Sequence, residues 1–192
     1  MRALLNERGD VGLEGRALRD AAAAAGLCIQ AMHSSGLVWT DLKAENFVIV
    51  TESDGETNLP GVKGIDLESA MPARSNPVDY SPEACPPEFA KVFMMGDAGE
   101  FVLDPSYDIW SLGMLLYELS TGSGYFAGQK PAVITKLLAD DSFVADVSLI
   151  EDLKLRDLVS KCLQNDPKKR PNITTFLLHP YFTTTGLFAW SF

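Results

Sequence analysis

The chain has 192 residues, 46 % of them hydrophobic, which is the length of one ordinary domain with enough apolar material for a packed core. Twenty-six acidic against sixteen basic side chains give a net charge of −10, which argues against nucleic acid or an anionic membrane surface as the main partner. Three widely spaced cysteines (Cys28, Cys85, Cys162) and two histidines (His33, His179), with no CxxC pair, argue against a disulfide framework or a structural zinc site; they fit a reducing compartment, the cytoplasm or the nucleus.

The start, MRALLNERGD, has no long apolar core and does not read as a secretory signal. The longest apolar run, AAAAAGLCI, is too short and too alanine-rich to span a bilayer. Leu18 to His33 is expected to be a helix: alanine dominates it, and Leu18, Leu27, Ile29 and Met32 supply an apolar stripe. Gly36 follows as a turn residue. Then comes GLVWTDLKAENFVIV, in which Asp41, Lys43 and Asn46 sit between two apolar runs. Phe47 to Val50 is a β-branched strand, TESDGETNLPG a polar turn, and Val62 to Ile65 the returning strand of a hairpin.

From Asp66 to about Asp104 the chain reads as loop, with one short helix at Pro87 to Phe93. Met71 to Pro86, rich in proline and poor in large apolar residues, is expected to be exposed and mobile, with Cys85 an ordinary, unreactive thiol on that exposed loop. Ser106 to Ser120, apolar on nearly all sides and stopped at Gly122, is expected to be a central buried helix. KPAVITKLLAD, SLIEDLKLRDLVSKCLQND and RPNITTFLLHPYF each read as a further helix. Lys168-Lys169-Arg170 reads as a solvated helix-end cluster. The fold class is mainly α, a helical body with one small β-hairpin carrying the polar triplet.

Each polar residue alone has a bland reading. Asp41 with Lys43 is a surface pair, Asn46 a turn residue, Asp66 a strand end. The order of the motifs changes that. MHSSGLVWTDLKAEN resembles the HxxG-x-x-HRDLKxxN segment of eukaryotic-type protein kinases, VKGIDLESA their DFG segment and CPPEFA their APE segment. YDIWSLGMLLYEL and DPKKRPNITTFLLHPYF resemble the two helical segments that follow. The resemblance runs from about Leu18 to Phe182 and is to the C-terminal, catalytic-loop lobe of that family. Only seventeen residues precede Leu18, too few for the family's five-stranded N-terminal lobe, so residues 1–192 are expected to be a single partial kinase domain. Met1 to Arg16 would be the short helix after the interlobe hinge, and a partner could cover the surface left by the missing lobe.

The resemblance implies ATP and Mg²⁺ as cofactors and a protein substrate phosphorylated on Ser or Thr. Asp41 falls on the catalytic aspartate, Lys43 on the lysine that offsets γ-phosphate charge, and Asn46 and Asp66 on the metal ligands. The residue types suit the task, because hard Mg²⁺ takes oxygen ligands and a hairpin can bring Asn46 and Asp66 to its open end. Ser81 falls near the family's substrate-facing hydroxyl. Glu88 and Arg170 are expected to form a structural ion pair, Asp108 to hold the catalytic-loop backbone, and His33 to pack at a helix end.

Several residues depart from the family pattern. Trp39-Thr40 stand where the family has His-Arg, which removes the arginine that meets a phosphorylated loop residue. Leu67-Glu68 stand where it has Phe-Gly. Two rivals therefore stand beside the kinase reading. One is a pseudokinase or scaffold. The other is a small-molecule phosphotransferase of the aminoglycoside or choline kinase type, which Asp66-Leu67-Glu68 suits and the later motifs do not.

Overall fold

The alanine-rich segment makes the first helix, α1, over Gly15–Ser34, and Gly36 ends the turn that follows with φ 73°, a conformation open to glycine at no steric cost. A computed structural model of the chain describes residues 1–2, 5, 11–50, 61–77 and 80–183. Residues 51–60 of the polar turn, and residues 3, 4 and 6–10 of the Met1 to Arg16 segment, lie outside the described residues.

After α1 come a two-residue strand β1 (Leu37–Val38), a single turn at Ala44–Asn46, and the hairpin strands β2 (Phe47–Val50) and β3 (Gly61–Gly64). β2 and β3 run antiparallel with Phe47 opposite Gly64 and Val50 opposite Gly61. A second antiparallel pair, which the sequence does not signal, joins β1 to β4 (Met71–Pro72), Leu37 facing Pro72 and Val38 facing Met71. The helices that follow are α2 (Pro87–Met94), α3 (Ser106–Thr121), α4 (Pro131–Ala139), α5 (Leu153–Cys162), α6 (Ile173–Leu177) and α7 (Pro180–Thr183).

Local chemistry sets the ends of these helices. Pro87 and Pro131 occupy first-turn positions, where a missing N–H costs nothing. The Asp152 and Asn172 side chains accept backbone N–H groups at the starts of α5 and α6. Gly122 closes α3 at φ 80°. The last segment is two helices and not the single one expected, because Pro180 has no N–H to continue α6 and its ring crowds the preceding turn.

α3 is the axis of the molecule. Every residue from Tyr107 to Leu119 on it is buried. Burying each large side chain there stabilises the fold by about 1.5–3 kcal/mol before the entropy of ordering is counted. α5 packs so closely on α3 that a Cβ at Gly113 would sit 2.9 Å from the Cys162 Cβ and 2.8 Å from a Leu163 methyl. Among the described residues, no helix is long and apolar enough to cross a membrane.

The loop expected to be exposed is corrected by the structure. Met71 pairs in β4, the Arg74 N–H donates to the Leu103 carbonyl at 2.8 Å, and Tyr80 packs edge-on against Phe89, ring centres 4.8 Å apart. Ala84, Cys85 and Pro86 are buried. Phe89 is the reason: it gathers Tyr80, Phe101 and Tyr107 around one ring, and sequence spacing does not reveal such a cluster. Burial pushes the Cys85 thiol far above its ordinary range, so it is inert as expected although it does not face solvent. In the Lys168-Lys169-Arg170 cluster the two lysines are exposed as expected, whereas Arg170 is buried, in keeping with its expected pairing with Glu88 rather than with a solvated cluster.

Candidate active site

The polar triplet lies between β1 and β2, and a buried carboxylate on α3 holds its backbone. The Trp39 N–H donates to the two Asp108 oxygens at 3.1 and 2.9 Å, and the Thr40 N–H donates at 3.1 Å. His33 Nε2, at the end of α1, lies 2.9 Å from the same carboxylate. Asp108 is fully buried, and these bonds give its oxygens the partners that burial takes away from water. Asp108 and His33 sit as expected, the one an acceptor for the loop backbone, the other packed at a helix end.

Asp41 and Lys43 meet: Lys43 Nζ lies 2.7 Å from Asp41 Oδ2. The Asn46 amide donates to the Asp41 carbonyl at 2.8 Å and to Asp41 Oδ2 at 3.2 Å, which turns its amide oxygen away from Asp41. The Ser81 hydroxyl donates to Asp41 Oδ1 at 2.5 Å, and Lys43 Nζ donates to Ser81 Oγ at 3.3 Å. Burial works against the Asp41 charge, but the hydrogen bonds from Lys43, Ser81 and Asn46 outweigh it and hold the carboxyl below its usual range. For Lys43, burial pulls down and Asp41 pushes up more strongly, so the ammonium is held above its usual range.

Asp66 stands next to this group and not inside its hydrogen bonds. The Ile65 N–H donates to the Asn46 carbonyl at 2.8 Å, closing the hairpin ladder, and Asp66 is the next residue. It is exposed and takes a left-handed backbone, φ 59°. Magnesium usually takes one or two carboxylates and completes its shell with phosphates and water. Asn46 and Asp66, brought to one hairpin end by the backbone, carry an amide oxygen and a carboxylate, the donor types such a site takes. Among the described residues, no three Asp, Glu, His or Cys side chains gather into an all-protein cage.

Sequence spacing alone did not point to Trp39, Thr40 and Ser69 as partners. The Trp39 indole N–H donates to the Asp66 carbonyl at 3.3 Å. Thr40 Oγ1 donates to the Ser69 carbonyl at 3.0 Å, and Ser69 Oγ donates back to the Trp39 carbonyl at 2.8 Å. Nor did it reveal an acidic cleft of about 340 Å³ beside Lys43, lined in part by Glu45, Glu83 and Glu118. Arg2 reaches into it, 2.9 Å from Glu45 and 2.5 Å from Glu118. Burial raises the Glu118 carboxyl despite that arginine. The visible signal was a glutamate near the end of a largely apolar helix whose other acid is Asp108.

On the other side of the loop, Arg170 grips Glu88 through two bonds of 2.7 Å. The expected pair is thus formed, and it joins the start of α2 to the segment before α6.

The chain matches the protein kinase domain family over residues 2–182. It is similar to calcium-dependent protein kinase 1 of Arabidopsis thaliana, 30 % identical over 163 residues, which cover 83 % of this chain and 25 % of the relative. It is also similar to the dual specificity protein kinase Ttk of Danio rerio, 30 % identical over 165 residues, covering 80 % of this chain and 16 % of the relative. A third relative is sperm motility kinase 2B of Mus musculus, 31 % identical over 160 residues, covering 81 % and 30 %. The chain spans less than a third of the length of these relatives. Ordered motifs, a helical body around α3 and the match over almost the whole chain agree, and the chain belongs to the protein kinase domain family.

Proposed function

We propose that residues 1–192 are the part of a protein kinase that orients the acceptor and binds metal, serving transfer of the ATP γ-phosphate to Ser or Thr of a protein. The observation that carries this reading is the Ser81 hydroxyl on the Asp41 carboxylate with Lys43 beside both. Ser81 stands in for an acceptor: a hydroxyl bonded to Asp41 has its proton aimed at a base and its oxygen beside a cation. In the transfer, the acceptor oxygen bonds to the γ-phosphorus, its proton passes toward Asp41, and the bond to the departing ADP oxygen breaks. Lys43 offsets the charge on the moving phosphoryl oxygens.

Bound Mg²⁺ and ATP supply the electrophilic phosphorus and the neutralisation of phosphate charge. Asn46 and Asp66 are the residues we assign to the metal. None of residues 1–192 is assigned to covering adenine and phosphates, so residues 1–192 alone should transfer phosphate hardly at all. The acidic cleft accommodates a guanidinium from this chain already, which fits a polypeptide acceptor carrying a basic side chain close to its hydroxyl.

The scaffold reading draws support from Trp39-Thr40 and Leu67-Glu68, the altered motif residues. One experiment separates the readings: full-length protein with Mg·ATP and peptide, choline or aminoglycoside acceptors. Peptide phosphorylation that drops about 10²–10⁴-fold in Asp41→Asn supports the kinase reading. Full activity in Asp41→Asn, or activity on the small molecules alone, would sink it. Absence of ATP binding by the full-length protein would favour the scaffold.

A further inference from the structure

Where the family has His-Arg, this chain has Trp39-Thr40, and these two residues are tied to the segment carrying Asp66 at three points. The Trp39 indole N–H reaches the Asp66 carbonyl, Thr40 Oγ1 reaches the Ser69 carbonyl, and Ser69 Oγ returns to the Trp39 carbonyl. The last two bonds form a reciprocal pair between side chain and backbone. Trp39 is fully buried and packs edge-on against Phe47 with ring centres 5.2 Å apart. Its six-membered ring lies so close under β3 that a Cβ at Gly64 would come within 2.9 Å of it. An indole at position 39 and the missing side chain at position 64 are therefore one packing solution.

The backbone on both sides is held out of its easy range. Thr40 has φ 60° and Asp66 φ 59°. For β-branched Thr40 this is an unusual conformation, kept only where the surroundings over-determine it. The three bonds, together with the Asp108 carboxylate on the Thr40 N–H, are part of those surroundings, and the three span the gap between the acceptor-orienting loop and the metal-side segment.

We propose that Trp39, Thr40 and Ser69 are positioning residues that fix Asp66 beside Asn46 without any phosphate on the loop. This rests on the kinase reading for its use of Asp66, but the clamp is a statement about structure as well. Its bonds join neutral groups. A clamp built on an arginine and a phosphate would weaken as salt screens it, whereas this one should not.

The test uses the unphosphorylated full-length protein and two readouts. The first is hydrogen exchange of the amides at 66–70. In Trp39→Phe, which keeps an aromatic ring and removes the N–H, exchange there should rise about tenfold while amides of α3 stay protected. Ser69→Ala should do the same, and serves if Trp39→Phe fails to fold. Wild-type exchange at 66–70 should be equal at about 0.05 and 0.5 M salt. The second readout is Mn²⁺·ATP binding followed by the Mn²⁺ paramagnetic signal, expected to weaken about tenfold in both variants. Unchanged exchange at 66–70 in both variants, or wild-type protection that collapses in salt, would overturn the clamp. Raised exchange with unaltered Mn²⁺·ATP affinity would overturn its positioning role. Wild-type protein that binds no Mn²⁺·ATP, with exchange behaving as described, would instead overturn the kinase reading on which that role rests.

Discussion

Arg170 and Glu88, 82 residues apart in the chain, meet in a two-pronged ion pair with both nitrogen–oxygen distances at 2.7 Å. The guanidinium is fully buried and also donates to the carbonyls of Gln164, at 2.8 Å, and Ser106, at 3.0 Å. It lies over the Trp110 ring, 5.1 Å from its centre. One side chain therefore ties α2, α3 and the turn before α6 together.

Arg170→Ala should lower stability by about 3 kcal/mol. That is the low end of the range for breaking a buried pair, because Glu88 remains 24 % exposed and can rehydrate. Arg170→Lys should recover little, since an ammonium cannot reproduce the fork. Urea unfolding followed by circular dichroism measures both; equal midpoints for wild type and Arg170→Ala would contradict the pairing.

Gly64→Ala should destabilise by about 1–3 kcal/mol, because the added methyl meets the Trp39 ring at 2.9 Å and β3 has to move. The same change in a Trp39→Phe background should cost less than half as much, since the smaller ring vacates that space. A double-mutant cycle by thermal melting reads the coupling. Additive costs would show that the two positions do not share the space.

Asp108→Asn should cost about 1.5–3 kcal/mol. Each carboxylate oxygen accepts from the loop backbone, and an amide nitrogen in place of one of them cannot. The loss should also loosen residues 39–46, raising amide exchange there before it rises in α5. A variant with wild-type melting and unchanged exchange would remove Asp108 from its role as the loop anchor.

The Asp41–Lys43 pair has a defined pH window. Asp41 is held below its usual value, so its contribution is full above about pH 3.9 and is lost as pH falls through the lowered value. Lys43 is held above its usual value, so its contribution is full below about pH 10.4 and is lost as pH rises through the raised value. The coupling in a cycle of Asp41→Asn and Lys43→Met should be flat from about pH 5 to 9 and amount to roughly 1 kcal/mol or less, as both side chains keep solvent contact. A coupling that titrates near pH 7 would show that another group controls the pair.

Much of the architecture was legible residue by residue. The alanine run, the all-round apolar stretch 106–120, the proline starts and the stop at Gly122 are local signals, and the helices lie where those signals put them. The triplet Asp41, Lys43 and Asn46 was legible as a unit because five sequence positions and one turn bring it together. The burial of residues 84–86 and the β1–β4 pair were not legible. The strand pair joins residues more than thirty positions apart, and the 84–86 segment is held from α3, where the Ser111 hydroxyl donates to the Ala84 carbonyl 27 residues away.

The sequence by itself determined the helical class, the family resemblance and the chemical groups available, because periodicity, capping and short motifs are read within a few residues. Only the tertiary structure decided what each polar group does next to its neighbours. It set Ser81 on Asp41, Asp108 under the loop, Arg170 against Glu88, and Trp39 between Gly64 and the Asp66 carbonyl. The physical reason is that hydrogen bonds and close packing depend on distances of a few tenths of an ångström. Those distances are fixed when helices and strands far apart in the chain close on a common core.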